Sequence, residues 1–76
     1  MENCEARIFY VDGRGKVYLE VKCGNDWMLY FERVDENLYM VSAGRREGDF
    51  WIGDRPSAEV EKLASQKAAK VLLLWI

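Results

Sequence analysis

Two runs of alternating apolar and polar residues open the chain, separated by a glycine-rich turn over residues 12–15. The two glycines of the turn supply the positive φ angles that a tight connection needs. If the runs pair so that residue numbers sum to 27, every cross-strand pair is of a favourable kind. One face then pairs Cys4 with Cys23, Ala6 with Val21, Ile8 with Leu19 and Tyr10 with Val17, and the other face pairs Glu5 with Lys22, Arg7 with Glu20 and Phe9 with Tyr18.

The neighbouring registers are all less favourable. A shift of one residue moves the apolar set of one strand to the opposite face. A shift of two residues sets Glu5 against Glu20, or Arg7 against Lys22, so that like charges oppose each other. The pattern therefore predicts a β-hairpin in which the two cysteines lie directly opposite each other.

Three further strands are predicted, each bounded by a turn signal. Gly24-Asn25-Asp26 and Asp35-Glu36-Asn37 are turn sequences, and residues 44–48 are predicted to form a loop. Strands spaced in this way are typical of an antiparallel meander, which either curves strongly or closes into a small barrel. The predicted strands are Trp27 to Glu32, Leu38 to Ala43 and Asp49 to Ile52.

The register between the third and fourth strands is open to two interpretations. It decides which of their side chains share a face of the sheet. In the preferred register the numbers of paired residues sum to 70, which pairs Leu29 with Val41, Phe31 with Tyr39 and Tyr30 with Met40.

The chain changes character after residue 53, where the apolar period becomes helical. Asp54 or Ser57 is available as the N-cap, and Pro56 is tolerated in a first helical turn. Acidic residues precede basic ones along the segment, which is the order that the helix dipole prefers. The apolar residues at helical spacing, which predict a helix packed on the sheet, are Val60, Leu63, Ala64, Ala68 and Val71.

The last residues, 71–76, are apolar on every side. Continuation of the helix is the preferred interpretation because no Gly or Pro intervenes, and a sixth strand buried on both faces is the alternative. In either form the tail must be covered by the sheet or by a second subunit. The candidate self-association residues are Leu72, Leu74, Trp75 and Ile76.

Together these elements predict one α+β domain over residues 1–76. An antiparallel meander of about five strands occupies residues 1–53. One C-terminal helix with an apolar tail occupies residues 54–76 and packs on the sheet. A chain of 76 residues is near the size at which a single core is only marginally stabilising.

The amino-acid composition limits the classes of protein to which this chain can belong. Half of the residues are hydrophobic, yet no run approaches the roughly 20 apolar residues of a membrane-spanning helix. The start of the chain is polar and acidic, so no signal peptide is expected and a soluble, cytoplasmic protein is predicted. Abundant Glu, Lys and Arg with a single Gln, no Thr and no His is a composition typical of hyperthermophile proteins. The net charge of −2 argues against general binding of duplex DNA.

The cysteine pair allows three interpretations. Directly opposed residues of an antiparallel pair lie close enough for a disulfide between Cys4 and Cys23, which would stabilise the fold by roughly 3 kcal/mol. Two free thiols are the second interpretation, since buried cysteines commonly behave as small apolar residues. A zinc site needs four ligands, and without His it would require carboxylates or a second chain, so no metal is expected.

Nothing in the sequence points to catalysis. There is no His for general base chemistry at neutral pH and no Ser in a nucleophile-elbow pattern. Gly13-Arg14-Gly15 lacks the rest of a dinucleotide fingerprint. We therefore expect a non-enzymatic protein with no cofactor and no small-molecule substrate.

Two binding functions fit the remaining residues. The chain has ten aromatic residues and an apolar tail, which is more large apolar surface than a core of one sheet and one helix is expected to bury. Small domains also gain stability by oligomerising. This predicts a small protein-interaction module, a homodimer or a partner of another protein. The alternative is single-stranded nucleic-acid binding, because aromatic rings on an open sheet with basic neighbours can stack unpaired bases. The residues of that alternative are Phe9, Tyr18, Arg7, Lys16, Lys22, Arg45 and Arg46.

Overall fold

In the computed structural model, which describes residues 3–73, five antiparallel strands form one sheet and a helix packs on one of its faces. The strands follow each other across the sheet in sequence order, and the first and last are not neighbours, so the sheet does not close into a barrel. The predicted α+β meander with a C-terminal helix is confirmed. The elements are β1 (Glu5–Val11), β2 (Lys16–Cys23), β3 (Asn25–Val34), β4 (Asn37–Glu47), β5 (Phe50–Gly53) and α1 (Ala58–Leu73).

The first hairpin has the predicted register over its outer half and departs from it near the turn. Residues 5–8 of β1 pair with residues 19–22 of β2 in the register that sums to 27. At Phe9 a β-bulge adds one residue to β1, so that Tyr10 lies opposite Tyr18. The predicted pairs of Phe9 with Tyr18 and of Tyr10 with Val17 are wrong, because the extra residue shifts every pair beyond it.

The two ends of this hairpin are held in different ways. Cys4 and Cys23 lie opposite each other as predicted, with Cα atoms 4.4 Å apart and sulfur atoms at disulfide distance. At the turn, Gly15 has a φ of 90°, and a Cβ there would lie 3.2 Å from the carbonyl oxygen of Arg33. Glycine is required at this position both for its backbone conformation and for the close approach to β3.

The pairing of β3 with β4 differs from the preferred prediction. A two-residue turn, in which Asp35 has a φ of 58°, connects the strands. A second bulge then lies opposite the step from Tyr30 to Phe31. The predicted register of 70 is wrong because the tight turn and the bulge each shift the pairing by one residue. The observed pairs are Leu29–Ala43, Tyr30–Ser42 and Phe31–Met40, in place of Leu29–Val41, Tyr30–Met40 and Phe31–Tyr39.

The segment predicted as a loop after the fourth strand is instead largely the second half of β4. Residues 44–47 pair with β5, and a tight turn at Gly48, which has a φ of 60°, connects the two strands. The prediction is wrong because backbone pairing with β5 extends the strand through residues that have no alternating apolar pattern.

The helix begins after Ser57, whose hydroxyl accepts a hydrogen bond from the Val60 backbone N–H at 3.3 Å, as an N-cap does. Asp54, the other predicted cap, instead accepts hydrogen bonds from the Arg45 side chain and the Arg55 backbone. The helix continues to Leu73, so the preferred interpretation of the tail is confirmed over residues 71–73. Residues 74–76 lie outside the described part of the chain.

The core lies between α1 and the middle of the sheet. On the sheet, Leu19, Leu29 and Phe31 are at most 1% exposed. On the helix, Ala64 and Ala68 are fully buried, and their small side chains let the helix axis approach the sheet closely. The helix therefore buries the side chains that face it from the middle of β2 and β3.

The candidate self-association residues are only partly described. Leu72 is 4% exposed and belongs to the core. Leu74, Trp75 and Ile76 lie outside the described residues, so their role stays a prediction. Within residues 3–73, α1 falls short in length and in apolar character of what crossing a bilayer requires.

Candidate functional site

One face of the sheet is not covered by α1. In β2 and β3 the odd-numbered residues from Val17 to Phe31 turn toward the helix, whereas the even-numbered residues turn away from it, because side chains alternate along a strand. We call the uncovered side the open face. Its residues, strand by strand, are Glu5, Arg7, Phe9 and Tyr10; Lys16, Tyr18, Glu20 and Lys22; Asp26, Met28, Tyr30 and Glu32; Tyr39, Ser42, Gly44 and Arg46; and Trp51 and Gly53.

A row of tyrosines crosses the middle of the open face. Tyr10, Tyr18 and Tyr30 lie directly opposite each other on three adjacent strands. The rings of Tyr18 and Tyr30 are stacked, with centroids 4.4 Å apart and planes 8° from parallel. The ring of Tyr10 is tilted by 56° against Tyr18 at 6.1 Å. Tyr18 and Tyr30 each use one flat face on the other, so these two faces are not available to stack on a ligand.

The hydroxyl of Tyr30 is part of a local polar contact. It donates a hydrogen bond to the carboxylate of Glu32 at 3.2 Å. Partial burial, with the hydrogen bond to Glu32 as the second cause, raises the pKa of Tyr30 above its ordinary value. The phenol is therefore neutral in the physiological pH range and acts as a hydrogen-bond donor to Glu32.

A groove of about 430 Å³ lies beside the tyrosine row. Phe9 stands on one side of it, on the bulge of β1, and Trp51 stands on the other side, on β5. Between them the lining includes Met28 and the directly opposed Gly44 and Gly53, which have no side chains. A Cβ at Gly53 would meet no atom within 4 Å. The glycine pair thus keeps the middle of the groove open.

The bulge in β1 has a direct consequence for this groove. Side chains of consecutive strand residues normally point to opposite faces, yet Phe9 lines the groove while Tyr10 packs against Tyr18 on the same side. The extra residue therefore brings two aromatic side chains to the open face where a regular strand would bring one. Phe9 is left 64% exposed, so its ring is free to contact a ligand.

Basic residues in the first three strands of the open face each have an acidic neighbour. Arg7 forms an ion pair with Glu20 at 3.3 Å. Because the charges are paired laterally, this part of the face does not form a basic track along which a phosphate backbone could run. The other opposed pairs are Lys16 with Glu32, and Lys22 with both Glu5 and Asp26.

Arg45 and Arg46 lie on opposite faces of β4. Arg45 is opposite Trp27, on the helix side, and its guanidinium binds Glu47 at 2.6 Å and Asp54 at 3.2 Å. Arg46 is opposite Trp51, on the open face, and donates a hydrogen bond to the Gly48 carbonyl. The predicted nucleic-acid residues therefore share one face, with the exception of Arg45.

The pairing of Arg45 with Asp54 also shifts the pKa values of these two residues. Hydrogen bonds to Glu47 and Asp54 raise the pKa of Arg45 above its ordinary value. The Arg45 side chain and the Arg55 backbone N–H together lower the pKa of Asp54. Arg45 and Asp54 are thus ionised at neutral pH, and their ion pair joins β4 to the segment that leads into the helix.

A second cluster joins the first hairpin to the helix. The sulfur atoms of Cys4 and Cys23 and a carboxylate oxygen of Glu59 lie within 4.8 Å of one another. These atom types could hold a soft divalent metal once the sulfurs were reduced to thiolates. At the observed disulfide distance the two sulfurs bind each other instead, so the arrangement acts as a cross-link.

The sequence reasoning found Phe9 and Tyr18 but missed Tyr30 and Trp51 as members of the site. A signal for Tyr30 was present, because the tight turn at Gly24 sets Tyr18 directly opposite Tyr30. No comparable signal existed for Trp51, whose position beside the groove follows from the bulge in β4 and the pairing of β4 with β5.

In comparisons with known proteins, no family model, no curated protein and no solved structure matches the chain. Its function is therefore inferred from its own surface.

Proposed function

We propose that the protein is a small, non-enzymatic interaction module, homodimeric in solution, that binds a protein partner through the groove of its open face. One observation carries the proposal: an exposed aromatic groove lies on a face where each basic residue of the first three strands lies opposite an acidic residue. Tyrosine, tryptophan and phenylalanine are enriched where proteins bind proteins, and charged residues are depleted at the centre of such interfaces.

The groove favours a partner that inserts a large apolar side chain. Phe9 and Trp51 are 64% and 47% exposed and both line the groove, so a large apolar side chain that enters it would meet aromatic surface. The hydroxyl groups of the tyrosine row lie close by and can hydrogen-bond the partner's backbone. Such a combination of an apolar slot and nearby polar groups supports recognition of an extended segment of a protein.

Single-stranded nucleic acid is the second candidate ligand. Its support is that the Arg7 side chain, 68% exposed, lies on the same face as the exposed ring of Phe9, and such a ring can stack an unpaired base. Two features favour a protein partner instead. One flat face of Tyr18 and one of Tyr30 are used on each other, and the basic residues of the first strands have acidic neighbours.

The proposal is tested with peptides selected from a displayed random library against the purified protein. The selected peptides should be rich in large apolar residues, and calorimetry should give a Kd that rises at least about tenfold for Phe9→Ser and for Tyr18→Ser. Lys62→Ser, on the exposed surface of α1, is the matched control and should leave the Kd unchanged. Peptides that bind the two groove variants as tightly as the wild type would overturn the proposal.

A labelled single-stranded oligonucleotide separates the two candidate ligands. Under the proposal it shows no binding at low salt. Binding that weakens with added salt, and weakens again in Phe9→Ala and Tyr18→Ala, would replace the protein partner by a nucleic acid. Circular dichroism of each variant verifies that the fold is retained, so that a loss of binding reports on the groove itself.

A further inference from the structure

The strand β5 is the least covered element of the fold. In the described part of the chain, α1 packs against β1 to β4 but does not reach β5. All four residues of β5 are exposed, with Phe50 at 74%, Trp51 at 47% and Ile52 at 43%. Within residues 3–73 no strand pairs with its outer edge. This edge therefore presents unpaired backbone groups beside three large apolar side chains.

Natural proteins usually protect such an edge. They place Lys or Pro on it, point a charge inward, or cover it with a helix or loop. The stretch from Phe50 to Gly53 contains none of these residues, and the helix stops short of it. An apolar edge without protection is a template for pairing with another strand.

The sequence of β5 is suited to pair with itself. Two copies joined edge to edge with antiparallel strands are related by a two-fold axis perpendicular to the sheet, so both open faces lie on the same side of the combined sheet. A residue that belongs to the open face then lies opposite an open-face residue of the second copy. Centred on Trp51, the pairing sets Trp51 against Trp51 of the second copy and Phe50 against Ile52 of the second copy. Aromatic–aromatic and aromatic–β-branched pairs are both favourable.

The neighbouring registers of this self-pairing are poorer. A shift of two residues in one direction sets Asp49 against Trp51, and a shift in the other direction sets Phe50 against Asp54. Each places a carboxylate beside a large apolar ring. The register centred on Trp51 instead sets Asp49 against Gly53, so no like charges oppose each other.

We infer that the outer edge of β5 binds β5 of a second copy of this chain, which makes one continuous sheet of two meanders. Trp51 would lie next to the two-fold axis and form the wall of a groove in each copy. The two grooves would then share an aromatic centre and form one surface with two binding sites. The strand pairing specifies how the homodimer of the proposed function forms, and the shared surface rests in addition on the groove being the binding site.

The size of β5 predicts a weak dimer. A strand of four residues buries less than the roughly 800 Å² per partner of a standard interface. Sedimentation velocity should therefore show a reversible equilibrium, with monomer at low and dimer at high protein concentration. A wild-type protein that stays monomeric at the highest soluble concentration would overturn the inference.

A charge-swap experiment tests the register. One variant carries Phe50→Lys with Ile52→Lys, and the other carries Phe50→Glu with Ile52→Glu. Each alone sets like charges opposite each other, so its dimer Kd should rise at least about tenfold. Mixing the two should restore a heterodimer. Failure of the mixture to associate, or unchanged dimers of the single variants, would contradict pairing through β5.

Val34→Lys is the matched control, because Val34 is also half-exposed and apolar but lies at the far end of β3. It should dimerise like the wild type. Phe50 faces away from the open face and does not line the groove, whereas Ile52 is one of the lining residues. Peptide binding is therefore compared in Phe50→Lys alone, which disrupts the pair of Phe50 with Ile52 of the second copy but should bind the selected groove peptides with unchanged Kd per protomer. Loss of dimer with peptide binding intact, and loss of peptide binding with the dimer intact, thus report separately on the two proposals.

Discussion

The two faces of the sheet differ in what covers their large side chains. On the helix side, Leu29 and Phe31 are buried under α1, whose Ala64 and Ala68 allow a close approach. On the open face, the neighbouring residue Tyr30 is only half-buried and packs against Tyr18. Adjacent positions of one strand thus serve different purposes. The covered face stabilises the fold, and the open face carries the groove that we propose as a binding site.

The extent of α1 across the sheet determines which part of the helix-side face is covered and which part is exposed. Where α1 crosses the sheet, the helix side is apolar, and no charged side chain is buried within residues 3–73. Toward β5, which the helix does not contact, the same side carries Arg45 of β4 with its two carboxylates and the exposed residues Phe50 and Ile52 of β5. A short helix on a wider sheet therefore leaves one edge free, and that edge is where association is proposed.

The largest expected effect on stability comes from truncating a buried side chain on the covered face. Phe31→Ala should lower the free energy of unfolding by about 3–5 kcal/mol, through lost burial and the cavity left behind. That is a large share of the roughly 5–10 kcal/mol expected for a small domain. Tyr30→Ala, one residue away on the open face, should cost much less, because its ring is already partly in water. Urea unfolding followed by circular dichroism measures both.

The milder variant Phe31→Leu keeps this test usable if Phe31→Ala does not fold. It should rank between the wild type and Phe31→Ala. Equal losses for Phe31→Leu and Tyr30→Ala would contradict the division of roles between the two faces.

The cross-link at the edge of the covered face should have the next largest effect. Cys4 and Cys23 are separated by 19 residues in the chain, and opening a loop of this length should cost roughly 3 kcal/mol. A phosphine reductant should lower the thermal midpoint and add two hydrogens to the intact mass. The double variant Cys4→Ser with Cys23→Ser should match the reduced protein and not respond to the reductant. A wild-type mass unchanged by reduction would contradict the cross-link.

The order of the strands and the helix, and the pairing of half of the first hairpin, could be predicted from the sequence. The register of residues 5–8 was predictable because each pair there has its own local reason, such as opposite charges or matching apolar groups. The bulge at Phe9 was not predictable, since it has no local signal and depends on how the whole sheet twists. Likewise, the pairing of β3 with β4 depends on a tight turn and a second bulge, whose effects add.

The candidate site was predictable to a similar extent. The alternation of side chains along the strands of the first hairpin predicted that five residues share one face, as observed. They are Phe9, Tyr18 and the basic residues Arg7, Lys16 and Lys22. The groove itself was not predictable, because it needs strands that are distant in sequence to bring their side chains to opposite walls. One residue of register in β4 decides whether a side chain of β5 lines the groove or faces the helix side.

The smallest expected effect lies beyond the reach of the helix, where an ion pair takes the place of apolar packing. Arg45 and the Arg55 backbone N–H lower the pKa of Asp54 below its ordinary value of 3.8. A lowered pKa in the folded state means that the ionised carboxylate stabilises the fold. This contribution is complete above pH 3.8 and is lost as the pH falls through the lower pKa of the folded state. Asp54→Asn should therefore reduce stability slightly at neutral pH and by progressively less in acid.

Urea unfolding at neutral pH and at several values below pH 3.8 measures this convergence with the wild type. Asp49→Asn, in the exposed turn between β4 and β5, is the control and should follow the wild type at each pH. Because Asp54 is exposed, its effect should be well below that of the cross-link. A loss of stability in Asp54→Asn that stays constant from neutral to acid pH would mean that packing, rather than the charge on Asp54, holds β5 beside the start of the helix.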